Sequence, residues 1–356
     1  MTSFGGPVTR RAVLGDISNR TAAHDAKLGK GSTKQGGFLG SQKGLGLGAE
    51  GTKTLGGLNP KHSLAHIDSS LRTVKLGEGY GSTDAPDPID ASDSTDAQCV
   101  VPYIKDIMRC MRETEGKYLA PPTYMAQQTD VNEKMRAILI DWLVEVHLKF
   151  KLVPETMYVT ANLIDRFLSK KGIQRNKLQL VGVTAMFIAS KYEEIYAPEV
   201  RDFVYISDKA YSREEILKME ATMLGALNFN VTAPSPYAFL KRFVKVAGYL
   251  RPEESREERL CAYLVELTLQ EYRMLKYLPS VIAASAVCLA HKMLGSASWS
   301  STLQQHTCYA ESTLLPCMKD MNAIVKAASK NSLTAVRKKY SQDKLSAVAL
   351  IEPVEL

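Results

Sequence analysis

The chain has 356 residues, 45% of them hydrophobic and 23% charged, with a formal net charge of +7. That length suits one large domain or two smaller ones, and the balance excludes a collagen-like, disulfide-scaffold or wholly disordered chain. The apolar run SVIAASAVCLA from Ser280 is too short to cross a bilayer, and the six Cys form no CxxC pair. The expectations are therefore reduced thiols, no membrane partner, no metal and no cofactor. A charge of this size does not by itself argue for a nucleic-acid partner.

Residues 1–82 hold 17 of the 23 Gly and carry eleven Lys or Arg against five Asp or Glu. Their apolar residues follow no period of 2 or 3.6. Within this stretch RRAVLGDISN, Arg10 to Asn19, places Arg11, Leu14, Ile17 and Asn19 as a spaced set on chain that offers no core. The run TDAPDPIDASDSTDAQ follows at 83–98, with Asp at 84, 87, 90, 93 and 96 and no basic residue. Ordering those sixteen residues costs about 16–30 kcal/mol of backbone entropy. Ile89 is the only large apolar side chain available, and its burial returns only about 1.5–3 kcal/mol. Residues 1–98 are thus expected to form a disordered tail.

Helical periodicity begins near Val101 and runs to about Tyr340. It is broken at KLVPET, KKGIQRN, IYAPEV, FNVTAPSP, YLRPEES, KYLPS and LGSASWSS. No alternating β-branched run occurs, so the fold class is all-α. A shift of 101 residues superposes three successive segments. Ala137-Ile-Leu with Trp142-Leu meets Ala238-Phe-Leu with Phe243-Val, ANLIDRFL from Ala161 meets AYLVELTL from Ala262, and AMFIASK from Ala185 meets AVCLAHK from Ala286. One register shared by three segments predicts two copies of one helical bundle, with the Ala-rich third helix of each copy at its centre.

In MRAILIDWLVEVHLKF, Met135, Ile138, Leu139, Trp142 and Val146 form one stripe, and Ile140, Leu143, Val144 and His147 form another. A helix apolar on two faces is either central or offers its second face to a partner. Arg136 on this helix and Asp165 on the next sit in apolar surroundings and need each other, because an unpaired buried charge is costly. Lys191 closes the third helix and Glu220 lies in ILKMEATMLGALNF. The second copy keeps Lys292 but has Met321 where Glu220 would repeat, so the Lys/Glu combination belongs to the first copy alone. Enzyme signatures fail. Gly46 to Gly51 fits GxGxxG without a flanking strand or helix, the six His are scattered, and Ser235-Pro236 reads as a helix cap.

Several long segments together resemble the cyclin family, and B-type, mitotic members in particular. MRAILIDWLVEV, NLIDRFLSKKGIQRNKLQLVGVTAMFIASKYEEIYAPEV and FVYISDKAYSREEILKMEATMLGALNF resemble the first cyclin box. YLVELTLQEYRMLKYLPSVIAASAVCLAHKML and WSSTLQQHTCYAESTLLPCMKDM resemble the second. The resemblance implies two tandem five-helix boxes preceded by a short helix. The corresponding segments are a regulatory tail at 1–98, the short helix with the first box at 99–230, the second box at 231–345 and a tail at 346–356.

It also implies a function: an activating subunit, not an enzyme, of a mitotic cyclin-dependent serine/threonine kinase at the G2/M transition, in nucleus and cytoplasm. The kinase contacts implied are Tyr103, Ile107, Lys191, Tyr192, Glu193, Glu220, Leu224 and Phe229. A docking patch for Arg-x-Leu substrates or inhibitors is implied at Met135, Ile138, Leu139, Trp142 and Gln179, with Glu145 receiving the arginine. Arg136 and Asp165 match a structural ion pair. RAVLGDISN resembles a destruction box, R-x-x-L-x-x-I-x-N, read through Arg11, Leu14, Ile17 and Asn19 by the anaphase-promoting ubiquitin ligase. Lys27, Lys30, Lys34, Lys43, Lys53 and Lys61 follow downstream, within reach of such a ligase. A nucleic-acid-associated relative of the same fold, like transcription factor IIB, is the rival reading; the N-terminal region lacks the zinc-ribbon cysteines it needs.

Overall fold

Ser, Asn and Pro mark the places where helices start. A computed structural model describes residues 87–249, 255–296 and 299–356; Arg11, Leu14, Ile17 and Asn19 lie outside the described residues. Among these residues there are α-helices and 3-10 turns and no strand. A first helix, α1 (Ile104–Glu115), precedes a bundle of α2 (Glu133–Phe150), α3 (Pro154–Leu168), α4 (Leu178–Glu193), α5 (Val200–Ile206) and α6 (Arg213–Ala226). A second bundle comprises α7 (Pro236–Val246), α8 (Arg256–Thr268), α9 (Pro279–Met293), α10 (Ser301–Thr307) and α11 (Glu311–Ala328), followed by α12 (Ala335–Tyr340).

The starts are chemically specified. Asn132 accepts the Met135 amide at 3.0 Å, and Ser235 accepts that of Ala238 at 2.9 Å. Ser212 and Glu215 cap each other's backbone reciprocally at α6. Pro154, Pro236 and Pro279 occupy first helical positions, where a missing N–H costs nothing. The cap expected at Ser235-Pro236 is therefore present.

The duplication extends beyond the three segments that revealed it. Helices α4 and α9 begin at 178 and 279, and α5 and α10 span 200–206 and 301–307, so the shift of 101 holds there without slippage. In each bundle the third helix is central. Helix α4 packs against α2, α3, α5 and α6, while α9 packs against α7, α8, α11 and α1. Small residues permit this crowding: a Cβ added to Gly182 of α4 would lie 2.7 Å from Leu139 Cδ1 of α2. The bundles join where α3 meets α7 and where α12 lies against α2. Tyr158 and Tyr237 stack across the first of these seams at 5.5 Å.

Two expectations about the ends need correction. Residues 87–98 are not disordered: Pro88–Asp93 and Ala97–Cys99 form 3-10 turns, and the Asp90 side chain is buried. What offsets the backbone entropy here is charge rather than apolar burial: Arg242 and Lys245 both donate to Asp90 Oδ1 at 2.6 Å. Residues 346–356 are not a loose tail either. Val348 and Ala349 are buried in a turn against α8 and α12, and Asn322 Nδ2 donates to the Val354 carbonyl at 2.6 Å. Only Val348 and Ala349 of this segment are buried, and two adjacent positions show no period, so the helical pattern ends before them.

Candidate functional site

The last turn of α4 and the middle of α6 bring Lys191 and Glu220 together as an ion pair. The Lys191 ammonium also lies 4.2 Å from the centre of the Phe187 ring, a cation–π contact that holds the side chain along its own helix. In the second bundle the counterpart Lys292 pairs instead with Glu311 at 2.6 Å, while Met321 is buried. The asymmetry in the sequence is thus an asymmetry in the placement of charge.

Beyond Lys191 the chain is pinned while its apolar side chains point outward. Glu194 Oε1 accepts the Val153 amide at 2.8 Å and the Thr156 hydroxyl at 2.5 Å, which serves the otherwise uncapped start of α3. The next two residues, Ile195 and Tyr196, are 91% and 93% exposed. Tyr192 is also exposed, and its hydroxyl hydrogen-bonds Thr232. Three residues before Thr232, Phe229 sits at φ +57° and is 71% exposed. A non-glycine residue in the left-handed region costs about 1–2 kcal/mol, so an exposed aromatic there is held at an energetic cost. Leu224 and Glu193 are half-buried between these groups in sequence. Tyr205 of α5 is exposed with the Lys149 ammonium 5.6 Å from its ring.

Ile195, Tyr196, Tyr205 and Glu194 were not singled out in the sequence. The available signal was an Ile-Tyr pair in a Pro-bearing break, where apolar residues have no helical face to serve.

Tyr103 and Ile107 are likewise exposed, on or beside α1. That helix is clamped by its other end to the second bundle. Arg112 donates to the Thr307 and His306 carbonyls at 2.8 and 2.7 Å, and its guanidinium lies 5.7 Å from the Phe243 ring centre. Glu115 is buried and accepts both the amide and the hydroxyl of Ser280, at 2.9 and 2.8 Å. It thereby caps α9, whose own N-cap residue, Leu278, has no suitable side chain. Burial outweighs these hydrogen bonds and pushes the Glu115 carboxyl up to about 6.

The proposed patch on α2 is graded in depth. Met135 and Leu139 are buried, and Leu139 is wedged against Gly182. Ile138, Trp142, Glu145 and Gln179 are half-buried. The second stripe of the helix, Ile140, Leu143, Val144 and His147, is wholly buried. Leu139 therefore forms a floor, and only Ile138 and Trp142 of the apolar set present area to solvent.

Arg136 and Asp165 form a bidentate pair at 2.5 and 2.7 Å, and Arg136 is 1% exposed. The remaining groups are satisfied from both bundles. Tyr124 OH donates to Asp165 Oδ1 at 2.7 Å, and Arg136 Nη1 donates at 3.0 Å to the Leu269 carbonyl beyond α8. Arg136, held by Asp165 inside the first bundle, thus rivets it to the second through the Leu269 carbonyl. All six Cys are free thiols; Cys288 and Cys317 are buried, and burial pushes each up to about 12. Among the described residues no group of three His, Cys, Asp or Glu side chains is placed to hold a metal.

Comparison with known proteins gives a consistent result. The family model for the cyclin N-terminal domain matches residues 106–232, and that for the cyclin C-terminal domain matches residues 234–354. The G2/mitotic-specific cyclin-1 of Medicago sativa subsp. varia is 47% identical over 266 residues, covering 74% of this chain and 61% of that protein. Cyclin-B2-1 of Arabidopsis thaliana is 47% identical over 265 residues, with the same coverage of 74% and 61%. The chain thus spans about three-fifths of the length of these relatives. Among solved structures, a viral cyclin from herpesvirus saimiri shares the fold with a TM-score of 0.57 at 18% identity, over 62% of this chain and 96% of that one.

Proposed function

The chain belongs to the cyclin family, and on that footing we propose that it is the activating, non-catalytic subunit of a mitotic cyclin-dependent serine/threonine kinase acting at the G2/M transition. The observation that carries this reading is the Lys191–Glu220 pair beside an outward-facing apolar set, Tyr192, Ile195, Tyr196 and Phe229. Exposed aromatic side chains on pinned backbone are suited to a partner, because little conformational freedom remains to be lost on binding. Lys191 and Glu220 offer a donor and an acceptor to kinase backbone. Glu193 and Leu224 border that pair, and Tyr103 and Ile107 add a second contact from α1. The subunit contributes no reacting group. It binds the working arrangement of the kinase more tightly than the idle one, and moving that equilibrium from 1:99 to 99:1 takes about 5.5 kcal/mol of differential affinity.

The finer assignments belong to the same proposal. The half-buried rim of Ile138, Trp142, Gln179 and Glu145, over Met135 and Leu139, receives Arg-x-Leu segments of substrates or inhibitors. Arg11, Leu14, Ile17 and Asn19 are read by the anaphase-promoting ubiquitin ligase, which ends the activity by proteolysis. The protein acts in nucleus and cytoplasm. The test is reconstitution: the purified chain is mixed with a monomeric cell-cycle kinase, and phosphorylation of a histone-type substrate is followed. Activity rises strongly with the wild type, and Lys191→Ala with Glu220→Ala weakens the complex at least tenfold while the thermal unfolding midpoint stays in place. No rise with a panel of such kinases overturns the reading.

A further inference from the structure

The corrected segment at 87–93 carries a second inference. Asp87, Asp90 and Asp93 recur every three residues. A 3-10 helix has three residues per turn, so in Pro88–Asp93 and its cap these carboxylates share one face. That face meets α7 and α10. Asp90 Oδ1 takes hydrogen bonds from Arg242 Nη1 and Lys245 Nζ, Asp93 pairs with Lys245, and Asp87 Oδ2 is 3.5 Å from His306 Nε2.

Two features make the cationic side a built site. Arg242 and Lys245 stand three positions apart on the helix face opposite its buried Phe239, Leu240, Phe243 and Val244. Like charges so placed repel, and a shared anion relieves them. Asp90 is 2% exposed; burial alone would raise its carboxyl, yet the two cations hold it below the usual carboxylate range. The segment returns little apolar burial, since Ala91 and Ser92 are exposed and Ile89 is half-buried. Charge holds it in place, and such a contact is open to exchange.

We propose that Arg242, Lys245 and His306 form a docking socket for acidic peptides bearing carboxylates at three-residue spacing, and that residues 87–93 of this chain are its resident, displaceable occupant. Joined to α1 by about ten residues, the resident has an effective concentration on the order of millimolar. An acidic partner must outcompete it, so the socket is gated by the chain's own segment. An acidic segment in trans binds with its intrinsic affinity reduced by the fraction of sockets left open.

The test uses the full chain and a fluorescein-labelled peptide with the sequence of residues 83–98, followed by anisotropy, and needs no kinase. Asp90→Asn with Asp93→Asn vacates the socket and tightens peptide binding at least tenfold over the wild type. Adding Arg242→Gln and Lys245→Gln abolishes it. Equal affinity for wild type and the vacated variant, or binding that survives loss of both cations, overturns the proposal. A second measurement needs no variant: excess unlabelled peptide raises hydrogen exchange at residues 87–99 of the wild type. Unchanged exchange at saturating peptide overturns it as well.

Discussion

Replacing Asp165 by Asn tests how the two bundles are held together. The substitution keeps shape and one acceptor oxygen but removes the charge that faces Arg136, which is 1% exposed. Arg136 then keeps only the Leu269 carbonyl at 3.0 Å and a neutral amide for its buried cation. Removing one partner of a buried pair costs about 3–5 kcal/mol, because an uncompensated charge remains. Set against the 5–15 kcal/mol typical of a domain, that is a loss of up to half or more. At roughly 2–4 °C per kcal/mol for a fold of this size, the midpoint falls by roughly 10 °C. Circular dichroism at 222 nm during heating, with urea titration in parallel, measures it. Arg136→Met added to Asp165→Asn recovers part of the loss, since no charge is then stranded. Recovery stays incomplete because the Leu269 carbonyl loses its donor, a cost of about 1–3 kcal/mol. A loss below 1 kcal/mol for Asp165→Asn, or a double variant as unstable as the single one plus a further full penalty, refutes the rivet.

Two further outcomes follow from the same packing. The buried Glu115 carboxyl, raised from an ordinary 4.5 to about 6, binds its proton more tightly in the folded chain than in the unfolded one. The cost of ionising it is present above about pH 6 and gone below about 4.5, so stability rises by about 2 kcal/mol as pH falls through that window; Glu115→Gln removes this slope in urea titrations across pH. Gly182→Ala gains about 1 kcal/mol of helix propensity but drives a Cβ to 2.7 Å from the fully buried Leu139. Overpacking costs about 1–3 kcal/mol, so the net change is destabilising. In a Leu139→Ala background the same glycine substitution becomes stabilising, and a sign that does not reverse counts against the contact.

What was legible in the sequence divides along a physical line. Burial in a helix is a local property: a residue facing the core is followed by another three or four positions later, whatever it touches. That is why three segments sufficed to fix a shift of 101 that α5 and α10 also obey. The core face of α2, the centrality of α4 and α9 and the need of Arg136 for Asp165 all follow from such local rules. Charge has no comparable period, and its meaning lies in what stands opposite. Asp90 and Arg242 are 152 positions apart, and Glu115 reaches Ser280 across 165. The run at 83–98 read as unfoldable because its partners sit on a helix that the local pattern cannot connect to it. The same reasoning accounts for Lys191 and Glu220. The sequence marks them only through Met321, which stands where the second copy would repeat the glutamate, and their pairing on neighbouring helices turns a difference between two repeats into a surface with a direction. In this fold the duplicated apolar pattern builds two equivalent bundles, and unduplicated charges make them inequivalent. A function that requires one bundle to do what the other does not is therefore to be sought at the ion pairs that break the repeat.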